Sequence, residues 1–235
     1  MQNLSRRTFL AVTAGAAIAP SISWAAEGAP SLLDHILLGC SDLDRGVAFV
    51  EEHTGVRAVF GGVHPGRGTQ NALLSLGTRH YLEIIAPDPE QPGVQQYSAI
   101  TKLTEPQLIG WAAHRDDLDQ FAARLRQEGI EFAGPQPGSR RRPDGKLLRW
   151  KALRLKDDHR GVLPFFIEWS EDSIHPSVDA PSGCSLGRFG AFTPEVQELT
   201  KLAALLELDT TVEYAKTPQL HALFVGPKGQ WAFSS

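Results

Sequence analysis

Leu32-Leu33-Asp34-His35-Ile36-Leu37-Leu38-Gly39-Cys40 is an apolar run broken only by an aspartate–histidine pair, and it reads as a buried strand. Asp42 follows as an N-cap, then Leu43, Val47 and Val50 at helical spacing, with Gly55 as terminator. Three strand-like runs come next: Arg57 to Gly61, Gln70 to Leu76, and Arg79 to Ala86. The turn Gly77-Thr78 separates the last two as in a hairpin. The order is β-α-β-β-β.

That order recurs. Leu108 to Ala113 is strand-like, and Asp117-Leu118-Asp119 repeats Asp42-Leu43-Asp44 at an offset of 75. Phe121, Leu125 and Gly129 complete a second helix, and strands follow at Glu131-Phe132, Leu147 to Leu155, and Leu163 to Ser170. The insert Gly134 to Lys146 carries Arg140-Arg141-Arg142 and the turn Pro143-Asp144-Gly145. It predicts a solvated hairpin arm, with anion capture as the other reading. A shorter unit closes the chain: a strand at Leu186 to Phe192, a helix opened by Thr193-Pro194 with a Val196, Leu199, Leu202, Leu206 stripe, and short strands at Thr211 to Tyr214, Leu220 to Val225 and Gln230 to Phe233. Ser177 to Gly187 reads as a linker. The predicted class is α+β: βαβββ modules over 32–88 and 108–176, and a third, partial βαββ(β) unit over 186–235.

A twisted sheet covered on one face by its own helix needs a partner for the other face. Two such units therefore predict two curved sheets whose open faces meet around a cup. Along Arg79 to Ala86, alternation puts Leu82, Ile84 and Ala86 on the helix and Glu83, with Tyr81 and Ile85, in the cup. His35 lies with Leu33 and Leu37, and Glu168 with Phe166 and Ser170; both are assigned to the cup. A carboxylate inside an apolar strand is costly unless paired, hydrogen-bonded or metal-bound. His64 and Arg67 stand in a glycine-rich loop. Either Arg67 clamps a carboxylate or phosphate while His64 titrates near neutral pH, or the loop is a turn tied down by Asn71. Trp111, Trp150 and Trp169 are cavity walls or core residues. His114, at a strand end, is assigned to the surface.

The paired layout, His35 seven residues before Asp42, Tyr81-Leu82-Glu83-Ile84 and Phe166-Ile167-Glu168-Trp169 resemble the vicinal oxygen chelate superfamily. The likeness is closer to its glyoxalase-like domain proteins at His64-Pro65-Gly66-Arg67-Gly68-Thr69-Gln70-Asn71 and Leu163-Pro164-Phe165-Phe166-Ile167-Glu168-Trp169, and it spans Leu32 to Pro176. The resemblance implies a divalent metal held from the first and last strands of each unit: His35, Glu83, Gly110 and Glu168. Gly110 departs from that pattern, because glycine has no side chain to ligate. His35, Glu83 and Glu168 remain, a donor set suited to Zn, Fe, Mn or Ni, with His175 as a substitute ligand from a loop. The implied activity is a metal-dependent lyase, isomerase or hydrolase acting on a small oxygenated organic substrate. Glu83, Glu168 and His64 would be its catalytic groups, and Arg67, Asn71 and Trp150 its substrate contacts. The alternative is a metal-free cup, with His35 protonated between carboxylates, that binds or sequesters a small molecule.

Ser5-Arg6-Arg7-Thr8-Phe9-Leu10, the weakly apolar Ala11 to Ala19, Pro20, and Ser23-Trp24-Ala25 have the layout of a twin-arginine export signal. They predict a leader over 1–25, the twin-arginine export machinery as a partner, and a periplasmic or secreted product. The 235 residues, 42% apolar and 21% charged, suit a soluble globular chain. Removing a leader with two arginines and no acid takes the net charge from −4 to −6, which argues against nucleic acid. No apolar run reaches a membrane span, so no membrane association is expected after processing. Cys40 and Cys184 are expected as unpaired thiols. Because both modules lie in one chain, a monomer suffices for a complete cup, and a homodimer is the other expectation.

Overall fold

In the computed structural model the first strands of the two modules pair with each other, joining both modules into one sheet. The structure describes residues 28–92 and 99–235, so the expected leader lies outside the described residues. The first module is β1 (Leu33–Gly39), α1 (Leu43–Thr54), β2 (Val59–His64), β3 (Thr69–Ser75) and β4 (Tyr81–Pro87). The second is β5 (Gln107–His114), α2 (Leu118–Gln127), β6 (Phe132–Arg141), β7 (Leu147–Leu155) and β8 (Phe165–Trp169). The eight strands run in the order β2-β3-β4-β1-β5-β8-β7-β6. β1 is parallel to β4 and antiparallel to β5, and β5 is parallel to β8. Two separate sheets would have left the apolar strands β1 and β5 with bare edges, and pairing them removes both.

The β1–β5 register exposes the duplication. His35 faces Ala112 and Leu37 faces Gly110; the offset of 75 seen in the sequence turns one pair into the other. Gly110 is therefore the counterpart of His35.

Helix α1 begins where the Asp42 carboxylate accepts from the Arg45 backbone N–H at 2.8 Å. It ends at Gly55 in the left-handed conformation, φ 81°. Its buried residues Gly46, Val47 and Val50 lie against the core that takes Leu82, Ile84 and Ala86 from β4. At the far ends of the sheet β2 and β6 approach each other, curling it into a half-barrel. A Cβ on Gly62, at φ +132°, would stand 2.5 Å from the Arg141 carbonyl oxygen, so only glycine permits this approach.

The expected arm at Gly134 to Lys146 is corrected here. Residues through Arg141 continue β6 and pair with β7, and the chain turns only where Arg142 N–H bonds to the Lys146 carbonyl. Its glycine, proline and arginine content hides a strand from a reading based on apolar alternation, although such content suits a sheet edge.

The rest comprises α3 (Pro176–Asp179), β9 (Ser185–Thr193), α4 (Val196–Leu205), β10 (Thr211–Tyr214), β11 (Gln219–Gly226) and β12 (Gly229–Ser234). From β9 to β12 the element order is again β-α-β-β-β, but the pairing is different. β9 takes β10 as its parallel neighbour, whereas β1 takes the last strand of its module, and the resulting sheet runs β10-β9-β11-β12. This second sheet backs the first from outside the cup: Phe189 meets Trp111 at 5.3 Å, and Trp231 meets Phe49 on α1 at 5.5 Å. Cys40 and Cys184 are both buried and free.

A substitution at Gly46 separates helix propensity from packing. Alanine favours a helix by about 1 kcal/mol, yet its Cβ would lie 2.5 Å from Cys40 Sγ and 2.7 Å from Ile84 Cγ2. Overpacking costs about 1–3 kcal/mol. Gly46→Ala is therefore expected to lower the urea midpoint; an unchanged or higher midpoint would show that α1 shifts freely on β4.

Candidate functional site

The concave face of the curled sheet forms a half-open cup with an interior volume of about 40 Å³, room for little more than a water or two. His35, Leu37, Tyr81, Glu83 and Ile85 come from β1 and β4, and Trp150, Arg154, Phe165, Ile167 and Trp169 from β7 and β8. His64, Arg67, Asn71 and Arg140 complete the lining.

A run of buried ionised groups crosses its floor. The β1–β5 register skips between Leu33 and His35, an irregularity of the kind that re-aims side chains, and neighbouring Asp34 and His35 interact directly. His35 donates through Nδ1 to Asp34 Oδ1 at 2.6 Å, and its Nε2 lies 3.3 Å from Glu83 Oε2. Tyr81 stacks on its ring at 4.5 Å. Burial opposes protonation of His35, but the bonds to Asp34 and Glu83 and their negative charges outweigh it and raise the imidazole to about 9. Burial likewise opposes ionisation of Asp34 and Glu83. For Asp34, bonds from His175 and His35 prevail; for Glu83, the bond and charge of His35 prevail, helped by Asn71. Both carboxylates are held well below their usual range.

Asp34 Oδ2 also accepts from Trp169 Nε1 at 3.0 Å and from His175 Nε2 at 3.2 Å. His175 thus serves Asp34 as a partner from outside the cup lining. Glu83 Oε1 accepts from Asn71 Nδ2 at 2.6 Å, and Asn71 Oδ1 accepts from Arg140 Nη1 at 3.2 Å. His64 sits next in line, with Nε2 3.4 Å from Asn71 Nδ2 and Nδ1 2.9 Å from Thr69 Oγ1. Burial, reinforced by the charges of Arg140, Arg67 and His35 against the attraction of Glu83, lowers His64 to about 4. It is a neutral imidazole at pH 7 and does not titrate near neutrality, which corrects the sequence expectation.

Glu168 is a second correction. On β8 it is Phe165, Ile167 and Trp169 that face the cup, while Phe166 is fully buried against Phe121 of α2 at 4.6 Å. Glu168 shares the face of Phe166, and its Oε2 accepts from the Leu118 N–H at 2.7 Å. Asp117 makes no capping bond at this helix start and instead pairs with Arg115 and Arg124. Glu168 supplies the missing acceptor and places a negative charge at the positive end of α2.

Arg140 is the third. Assigned to a solvated arm, it is only 3% exposed. Its Nη1 donates to the Gly61 carbonyl and to Asn71 Oδ1, and among the described residues it has no carboxylate in ion-pair contact. Gly61 leaves it room, since a Cβ there would lie 2.5 Å from Arg140 Nη1. Arg154, another cation the sequence did not single out, stacks over Phe165 at 4.1 Å. Trp150 and Trp169 stand 5.5 Å apart in the wall, whereas Trp111 is core and donates to the Val162 carbonyl. His114 sits near Arg79 and Asp116.

His35, Glu83 and Glu168 therefore do not converge, and they do not fit the divalent metal that the resemblance implies. Glu168 points out of the cup, and both nitrogens of protonated His35 are turned on carboxylates. Among the described residues no group of three or more His, Cys, Asp or Glu is placed to hold a metal ion. At Gly110, φ +155°, no heavy atom lies within 4 Å of where a Cβ would stand, so the counterpart of His35 is an open space.

The paired βαβββ modules curled around a common hollow define a protein of the vicinal oxygen chelate superfamily. The chain matches the glyoxalase-like domain family over residues 33–206 and belongs to that family. A hypothetical protein from Staphylococcus aureus is similar in structure, with 18% identity, coverage of 86% of this chain and 84% of that one, and a TM-score of 0.61; that likeness is one of fold. Methylmalonyl-CoA epimerase from Mycobacterium tuberculosis is 21% identical over 60% of this chain and 87% of that one, TM-score 0.41. The Streptomyces coelicolor methylmalonyl-CoA epimerase in complex with 2-nitronate-propionyl-CoA is 25% identical over 60% and 98%, TM-score 0.44. No curated protein matches the chain.

Two measurements test this geometry. Glu168→Ala is expected to cost about 1 kcal/mol of stability through the lost cap while leaving ligand binding in the cup unchanged; an altered cup would return Glu168 to the site. The pH dependence of stability has a defined sign. His35, raised above 6.5 to about 9, contributes fully below pH 6.5 and loses its contribution as pH rises through 9. His64, lowered from 6.5 to about 4, favours unfolding as pH falls below 6.5, and the depressed Asp34 and Glu83 add to the loss in stronger acid. Urea midpoints are expected to peak near pH 6.5, with histidine NMR midpoints near 9 and 4 for the two rings; a ring from the cup titrating at 6.5 would contradict the network.

Proposed function

We propose that the cup is a metal-free binding site for a small oxygenated organic anion, and that the protein binds or sequesters such a compound. The observation that carries this reading is Arg140, a buried guanidinium held only by neutral oxygens on the inner wall. Glu83 reaches this guanidinium only through Asn71; a desolvated guanidinium with no carboxylate in direct contact is costly, and a carboxylate meeting it forms a strong, charge-assisted pair. Arg67 and Arg154 add positive charge to the lining, whereas its single carboxylate, Glu83, is already occupied by His35 and Asn71. Trp150, Trp169, Tyr81 and Phe165 complete the lining with aromatic surface, which limits the cup to a very small anion.

The titration behaviour favours binding over proton transfer. General acid–base catalysis works best with a group whose pKa lies near the operating pH. Here His35 is raised to about 9, His64 is lowered to about 4, and Glu83 lies lower still. The twin-arginine pattern of residues 1–25 supports a periplasmic or secreted place for this activity.

Calorimetric titration of protein purified without added metal with formate and acetate, anions of the size the cup admits, tests the reading. Saturable heat, indifferent to EDTA and with affinity weakened about 10- to 100-fold in Arg140→Gln, is expected from the loss of one charged hydrogen-bonding partner. Near-stoichiometric transition metal that disappears in Glu83→Gln would overturn it in favour of a metal enzyme.

A further inference from the structure

Beside the cup lies a larger hollow of about 370 Å³, bordered by Gly110 of β5, Leu37 of β1 and residues of the loop from Asp158 to Pro164. Position 110 contributes no side chain to it, and nothing lies within 4 Å of where a Cβ would stand. The loop is tied to β5. A Cβ on Gly161, at φ +81°, would stand 2.7 Å from the Ile109 carbonyl oxygen, so glycine lets the loop lie this close. Trp111 Nε1 donates to the Val162 carbonyl at 2.9 Å, the Leu163 N–H to the Asp158 carbonyl at 2.9 Å, and the Gly161 N–H to Asp158 Oδ1 at 3.0 Å. These polar groups of the wall are spent on one another. Apart from Arg154 and Asp158, every side chain bordering the hollow is apolar or aromatic, or is absent at Gly110 and Gly161.

Both charged residues have a task in the wall. Arg154 lies over the Phe165 ring at 4.1 Å, and Asp158 holds the Gly161 N–H. One guanidinium and one carboxylate leave this lining without net charge. The cup differs, since Arg67, Arg140 and Arg154 border it and its carboxylate is already paired. We infer that the hollow is a second binding site, and that its ligand is an uncharged, mainly apolar molecule the size of about two fused rings. A cavity of about 150 Å³ admits a benzene, so this one has room for about twice that. Its volume also falls within the range of about 300–1,000 Å³ usual for small-molecule sites. Charge does not suit it, because a carboxylate would be desolvated beside Asp158 and an ammonium beside Arg154. The site goes beyond the reading of the cup and does not rest on it.

The test is calorimetric titration of the full chain at pH 7 with phenol, 2-naphthol and 2-naphthoate. 2-Naphthol is expected to saturate a single site and to bind about tenfold or more tightly than phenol, because its second ring is also withdrawn from water. It is expected to exceed 2-naphthoate by a similar factor, through the cost of desolvating the carboxylate. Ala99→Trp puts an indole at an exposed position bordering the hollow. It is expected to weaken 2-naphthol about tenfold or more with the urea midpoint unchanged. Arg140→Gln, which lies in the cup and does not border this hollow, is expected to leave 2-naphthol binding unaltered. No saturable binding of 2-naphthol, phenol binding as tightly, 2-naphthoate binding as tightly or more so, or Ala99→Trp without effect would each overturn the inference. Loss of 2-naphthol binding in Arg140→Gln would place the ligand in the cup and overturn it as well.

Discussion

The protein depends on ionising three groups that are almost wholly withdrawn from water. Asp34, His35 and Glu83 sit at the middle of an eight-stranded sheet, each less than a tenth exposed, and the alternation of negative, positive and negative charge is what makes their burial tolerable. Three neighbouring polar side chains bond directly to that row. Trp169 and His175 donate to its Asp34 end, and Asn71 donates to its Glu83 end. Asn71, once committed, presents its oxygen to Arg140. Much of the polar wiring of the cup is bonded to a single acid–imidazole–acid run, which lies at an irregularity in the β1–β5 register.

Much of the architecture was legible because it rests on periodicity. The repeated Asp-Leu-Asp, one module's helix after another, and the clean alternation on β4 required no knowledge of tertiary contacts. The same logic inverted β8. Its five residues include large apolar side chains on both faces, so alternation could not say which face met α2, and Glu168 was placed in the cup on the strength of being acidic. The start of α2 holds the missing clue, since Asp117 is drawn to two arginines and leaves the helix needing an acceptor from elsewhere. Asp34 is not legible as a site residue, because regular alternation points it away from His35; the two meet where the register against β5 skips. Arg140 was hidden by its company, one of three consecutive arginines beside a turn, which on composition alone is a surface signature.

Duplication explains the shape of the molecule but not its third unit. The stretch from β9 to β12 has the same succession of elements as the modules, yet β9 chooses a different parallel partner. Element order is a property of the chain, whereas strand pairing is decided by which edges are available when the sheets assemble. The modules found their free edges in each other. The third unit instead built its own sheet and spent its apolar face on Trp111 and on the outer side of α1. It thickens the core without adding to the cup.

Gly110 marks where the two modules have parted. Its partner position in the first module holds the imidazolium of His35 in the cup, whereas Gly110 itself borders a separate hollow of about 370 Å³ together with Ile100, Trp111 and Leu163. The two positions related by the repeat therefore no longer serve one cavity: on one side a ring anchors a charged row, and on the other its absence leaves unclaimed space.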